Sequence, residues 1–159
     1  MDNCIVCKRI TKIKEEINPY FVAELETGYV VIGDYQLFKG YTLFICKEHE
    51  TELHFLKDDI RNEFLAEMSR VAEAVYNAFK PDKLNYELLG NGKGGAHIHC
   101  HIFPRKENDT PVQGPVWWVD RDLMYSEKIK PNESELKDLK SKLFMELNKV
   151  TTIVKKGDF

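Results

Sequence analysis

The chain has 159 residues, 43% hydrophobic and 31% charged, with a formal net charge of −3. That length supports one sizeable core, the composition excludes low-complexity disorder, and the slight acidity argues against binding nucleic acid polymers. No apolar run approaches the roughly 20 residues of a membrane span, and MDNCIVCKRI lacks the apolar centre of a secretion signal, so no membrane is expected and the expected compartment is the cytoplasm. There, four cysteines are expected as ligands or core residues rather than as a disulfide framework.

In chain order, Cys4 and Cys7 come first, as a C-x-x-C. Such a pair fits half of a zinc shell, a redox site or two incidental thiols. No βαβ pattern surrounds it, as a thioredoxin-like site would require, and a tetrahedral zinc needs two further ligands. FVAEL (21–25) and YVVIG (29–33) then flank Glu26, Thr27 and Gly28, which predicts a hairpin. YTLFIC (41–46) reads as an interior strand. Residues 58–79 read as the main helix, capped by Asp58 or Asp59 and closed by Pro81. Its stripe is Ile60, Phe64, Met68, Val71, Val75 and Phe79. LNYELLG (84–90) and HIHCHIF (97–103) predict two more strands, separated by the glycine loop GNGKGG (90–95).

Residues 106–131 show no clean period and read as an extended loop packed through its aromatics, with Trp117–Trp118 as a structural anchor. That pair could instead close over a site or line a dimer interface. A C-terminal helix follows, capped by Asn132 or Ser134, with a stripe of Leu136, Leu139, Leu143, Phe144, Leu147 and Val150. Together these elements predict an α+β fold: an antiparallel β-sheet with one long helix and a C-terminal helix. A single domain is expected over 1–159, its core about 1–105, with the aromatic loop and C-terminal helix occupying 106–159.

The strand holding His97, His99 and His101 carries the chemistry. Alternation puts the three imidazoles on one face, about 6.5–7 Å apart along the strand, and Ile98, Cys100 and Ile102 on an apolar face. A solvated polar face would not demand histidine three times. A metal site built from all three suffers from a linear array where zinc wants converging ligands. Phosphoryl or nucleotidyl transfer fits better. One neutral imidazole can attack phosphorus, a neighbour can donate to the leaving atom, and glycine-loop N–H groups can hold the non-bridging oxygens.

HIHCHIF resembles the His–φ–His–φ–His–φ–φ signature of the histidine triad (HIT) family of nucleotide hydrolases and transferases, in its zinc-bearing bacterial-type branch. CIVCKRI, the hairpin, FICKEHETEL with His49, the long helix and HIFPR follow in the family's order. The resemblance covers residues 1 to about 105 and continues more loosely through PVWWV. It implies a HIT-like fold and hydrolysis of nucleotide phosphoanhydrides or phosphoramidates through a covalent nucleotidyl-histidine. His99 would be the nucleophile, and His101 would assist the leaving group. Asp34 would bind ribose hydroxyls, and Asn91, Gly94 and Gly95 would contact phosphate. The loop lacks the family's frequent Gln and Ser/Thr; Lys93 offers a charge for a polyphosphate, or is merely solvated. Cys46 replaces the family's usual proline. The resemblance also implies a structural Zn2+ on Cys4, Cys7, His49 and His97, and a homodimer paired through the main helix and an adjoining strand. Two alternatives stay open. One is a nucleotidyltransferase to phosphate or a sugar phosphate, which His101 disfavours because the related uridylyltransferase branch carries Gln there. The other is a non-catalytic nucleotide- or zinc-binding adaptor. His54 has no assigned role.

Overall fold

The computed structural model describes residues 3–91 and 94–159. The cysteine segment opens a helix that the sequence reading did not assign, α1 (Ile5–Lys14). Cys4 is its N-cap, and its sulfur accepts from the Cys7 backbone N–H at 3.3 Å. Val6, Ile10 and Ile13 are buried at helical spacing. With basic residues between them, three buried apolar positions in ten residues make a stripe too short to stand out in sequence.

Six strands form one antiparallel sheet: β1 (Phe21–Glu24), β2 (Gly28–Ile32), β3 (Thr42–Cys46), β4 (Lys83–Glu87), β5 (His99–Arg105) and β6 (Lys155–Lys156). Their spatial order is β4-β5-β3-β2-β1-β6. The β1–β2 hairpin is held at its turn by the buried Glu67, whose carboxylate accepts from the Glu26 and Thr27 N–H groups at 2.9 Å and from the Thr27 hydroxyl. β6 was not foreseen, because a two-residue lysine strand carries no apolar signal.

The sheet's faces divide by residue parity. Val30, Ile32, Phe44, Cys46, Cys100 and Ile102 form the core with α2 (Asp58–Phe79) and α4 (Glu133–Val150). Phe44 stacks on Phe64 of α2 at 4.9 Å between centroids. α2 spans the expected residues, and only its cap differs from the expectation. Lys57 is its N-cap without a side-chain bond, and Asp58 and Asp59 lie within the first turn, where their charge favours the helix dipole. Lys80 ends it in the left-handed conformation at φ +49°, ahead of Pro81. α4 begins with a capping box between Asn132 and Glu135 and buries Leu139, Leu143 and Leu147.

On the opposite face α1 covers Tyr29, Val31, Leu43 and Ile45. The rest of that face, from Tyr41 to Phe103 and the histidines of β5, lies under residues 106–131. This segment is less extended than expected. It contains 3-10 turns at Val116–Trp118 and Glu127–Ile129 and a short helix, α3 (Arg121–Met124). Its anchor also differs from the expectation. Trp117 and Trp118 are each 61% exposed, whereas Val116 is buried with Phe38 and Phe103. Arg105 supplies the polar half. It binds Asp109 through two nitrogens at 2.6 and 2.8 Å, donates to the Gly114 carbonyl at 2.7 Å, and covers the Phe38 ring. A bidentate guanidinium satisfies a periodless loop that has few apolar side chains to bury. Among the described residues, no helix is long and apolar enough to cross a membrane.

Candidate active site and metal centre

Cys4 and Cys7, His49 after β3, and His97 just before β5 converge from three separate chain segments. Their ligand atoms all lie within 4.8 Å of one another. Cys7 Sγ is 3.0 Å from His49 Nδ1 and 3.5 Å from His97 Nδ1. These separations approximate the edges of a tetrahedron with bonds of about 2.0–2.3 Å. His97, fully buried, donates its Nε2–H to the Cys46 carbonyl at 2.7 Å, which leaves the Nδ1 lone pair facing Cys7. Burial also holds His97 below the ordinary histidine range, in the neutral form a metal requires. Burial and the Cys4 thiol raise Cys7 in the opposite sense, so a cation would have to displace its proton. Two sulfurs and two nitrogens are a donor set suited to zinc. The other thiols are core residues: burial pushes Cys46 up to about 11 and Cys100 up to about 12, leaving both protonated and inert.

His99 and His101 follow on β5, with ring centroids 4.7 Å apart. They line a cleft of about 690 Å³ between α1, the cleft face of the sheet and the 106–131 segment. His99 Nδ1 lies 2.6 Å from the His97 carbonyl. A carbonyl only accepts, so Nδ1 carries the hydrogen and Nε2 keeps its lone pair. Burial lowers His99 from its ordinary value. It drives His101 down to about 3, with the charges of His99 and Arg9 adding to the effect. Both imidazoles are therefore neutral at neutral pH. The Tyr41 hydroxyl sits 2.5 Å from His101 Nδ1.

The other predicted positions distribute unevenly. Asp34 lines the cleft, but one of its oxygens already accepts from Arg9 of α1 at 2.7 Å. Its Oδ1 and Arg9 Nη1 are buried and have no partner among the described residues. Gly95 lines the cleft. Gly94 has φ +77° and accepts the Ile5 N–H at 2.8 Å. A Cβ there would sit 2.6 Å from the Asn3 carbonyl, so the position requires glycine and ties the loop to the start of α1. Asn91 is exposed and borders an adjacent depression that also touches His97 and His99. Lys93 lies outside the described residues. His54 is exposed, edge-on to Phe55.

Three cleft residues escaped the sequence reading. Arg9 lies on the unassigned α1, so nothing aimed it anywhere. Tyr41 read as the start of an apolar strand. Glu87 of β4 pairs in register with His101 and is 7% exposed; neither carboxylate oxygen has a partner among the described residues. Burial raises it above the ordinary carboxylate range. A lone glutamate in a strand gives no sequence signal of burial.

Comparison with known proteins finds a match to the HIT domain model over residues 14–108. The protein hit of Bacillus subtilis is 33% identical over 125 residues, covering 76% of this chain and 83% of the relative. The adenosine 5'-monophosphoramidase hnt1 of Schizosaccharomyces pombe is 30% identical over 120 residues, covering 72% and 83%. A zinc-bound histidine triad family protein from Mycobacterium smegmatis superposes with a TM-score of 0.60 at 22% identity, covering 92% of this chain and 96% of the other.

Proposed function

The chain belongs to the histidine triad (HIT) domain family, and from that premise we propose that it hydrolyses nucleotide phosphoramidates or phosphoanhydrides through a nucleotidyl-histidine on His99. One observation carries the reading. The His97 carbonyl fixes the His99 hydrogen on Nδ1 and frees Nε2 as a neutral nucleophile inside the cleft. In the first step Nε2 forms a bond to the α-phosphorus, and the bond to the leaving atom breaks with its electron pair on that atom. The imidazolium of the adduct keeps its Nδ1–H on the His97 carbonyl, which stabilises the positive charge. The leaving atom takes its proton from water, and the hydroxide so formed then attacks phosphorus, returning the electron pair to Nε2.

Asp34 Oδ1, an unmatched acceptor in the cleft, suits ribose hydroxyls. Gly95 lines the cleft and in this reading would offer its backbone to phosphate, with Asn91, Lys93 and Gly94 as the other phosphate contacts of the loop. A zinc ion on Cys4, Cys7, His49 and His97 would have a closed shell and so a structural role, pinning His97 at the head of the triad strand. The phosphoramidase activity of the fission-yeast relative favours an amine leaving group. Transfer to phosphate remains the second reading, because the same adduct would serve it. Four free cysteines suit a reducing compartment such as the cytoplasm. A homodimer through α2 and the β4 edge is supported by the exposed Tyr76, Tyr86, Leu88 and Leu89 along that side. In solution it would give twice the 18.6 kDa chain mass.

The test uses adenosine 5'-phosphoramidate and a panel of dinucleoside polyphosphates, with and without added phosphate. Wild type should release AMP and yield an adenylylated His99 peptide. His99→Ala should lose on the order of 10³-fold in turnover. Unchanged turnover in that variant would remove the assignment, and AMP binding without any turnover would favour the adaptor.

A further inference from the structure

We propose that Tyr41 is a positioning residue for leaving-group departure: its hydroxyl donates to His101 Nδ1 and holds the imidazole as the Nε2–H tautomer in the cleft. The inference rests on the reaction proposed above and assigns a residue that neither the triad motif nor its alternation points to. The direction of the hydrogen bond follows from accounting for one proton. Among the described residues, His101 Nδ1 is the only hydrogen-bond partner of the Tyr41 hydroxyl, at 2.5 Å. If Nδ1 carried the hydrogen, the phenol would accept it and its own proton would have no acceptor among the described residues. If the phenol donates, both groups are satisfied. Burial raises Tyr41 far above its ordinary range, so the phenol keeps its proton at any pH at which the protein would be assayed.

The phenol ring is held tightly enough to impose this choice. It stacks on Phe103 with centroids 4.2 Å apart and planes within 9°. On another side it lies over Gly33, where an added Cβ would come within 2.1 Å of the ring. His101 lies within 7° of parallel to Tyr41 and within 2° of parallel to Phe103. The two adjacent triad histidines therefore enter the reaction as opposite tautomers. His99 has a bare Nε2 because a carbonyl takes its Nδ1–H, and His101 has an Nε2–H because a phenol occupies its Nδ1. The first can attack phosphorus and the second can donate. As the bond to the leaving atom breaks, its electron pair stays on that atom and meets the His101 Nε2–H hydrogen bond. The atom then takes its proton from water, and the hydroxide so formed is consumed at phosphorus in the second step. His101 and Tyr41 keep their protons throughout.

The experiment compares two substrates that share the AMP moiety and differ in how much the leaving atom needs a donor: the n-butylamidate and the p-nitrophenyl ester. Tyr41→Phe should slow kcat on the amidate about tenfold or more, and on the ester by less than about threefold, since nitrophenolate departs without help. A general loosening of the site would slow both equally, and that result overturns the proposal, as does no change in either. Nitrogen-15 NMR of wild-type His101 is the second measurement and needs no variant. The Nε2–H pattern is expected, and an Nδ1–H pattern overturns the proposal. If wild type turns over neither substrate and forms no adduct on His99, the functional reading fails, and the NMR result still decides the tautomer.

Discussion

At the residue scale, His97 and His99 are two positions apart and are held by opposite nitrogens. His97 gives its Nε2–H to Cys46 and turns Nδ1 toward the cysteines; His99 gives its Nδ1–H to His97 and turns Nε2 into the cleft. One backbone carbonyl, that of His97, thus connects the metal centre to the nucleophile. Asp34 and Arg9 show the same economy of partners: each satisfies one atom on the other and leaves one unmatched in the cleft. An unmatched buried acceptor is costly until a ligand meets it, so binding there is favoured when a hydroxyl arrives. Asp34→Asn is therefore expected to raise KM for a ribonucleotide substrate about tenfold while leaving kcat within about twofold. Steady-state kinetics on adenosine 5'-phosphoramidate checks this, and a fall in kcat with unchanged KM would place Asp34 in the chemistry instead.

The elements packed on the two sheet faces differ in what holds them. α2 and α4 are secured by apolar burial, whereas the 106–131 segment depends on Arg105 and its bidentate contact with Asp109. Arg105 holds the Asp109 carboxyl below its ordinary value of 3.8. Because the folded value is depressed, the contribution to stability is present above pH 3.8 and is lost as pH falls through the folded value. Asp109→Asn should cost about 2 kcal/mol at pH 7, and the gap from wild type should close progressively below pH 3.8. Both tryptophans of the chain lie in this segment, so their fluorescence during denaturant titration reports the change directly. A variant as stable as wild type at pH 7 would mean that Val116 and its apolar neighbours suffice as the anchor.

For the whole molecule, the four-residue Cys/His cluster ties α1 to the loop after β3 and to the head of β5. The same α1 covers half of one sheet face and carries Arg9 into the cleft. Binding of zinc by the folded chain alone would stabilise all of these together through mass action. Chelation from a zinc-loaded sample is expected to lower the melting temperature by roughly 10 °C, with readdition of Zn2+ restoring it. Calorimetry alongside metal analysis tests this. An unchanged melting temperature after confirmed metal loss would leave the four residues as an ordinary polar cluster.

Much of the architecture was legible in the chain because periodicity is a local property. The hairpin, β3, the α2 and α4 stripes, and the alternation that buries Ile98, Cys100 and Ile102 on one side of the triad each need only neighbours in sequence. α1 and β6 were not legible, since a short stripe and a two-lysine strand are stabilised by what they pack on. The tryptophans misled because an aromatic pair suggests burial, whereas Val116 and Arg105 supplied the anchor. The sequence by itself determined the fold class, the family resemblance and the shared face of His99 and His101, whereas His97 lies ahead of β5, buried in the Cys/His cluster. Only the tertiary structure decided which nitrogen of each histidine is free. Cys46, His97 and Tyr41 meet the imidazoles across distant strands or through a carbonyl, and hydrogen-bond partners of that kind leave no trace in spacing.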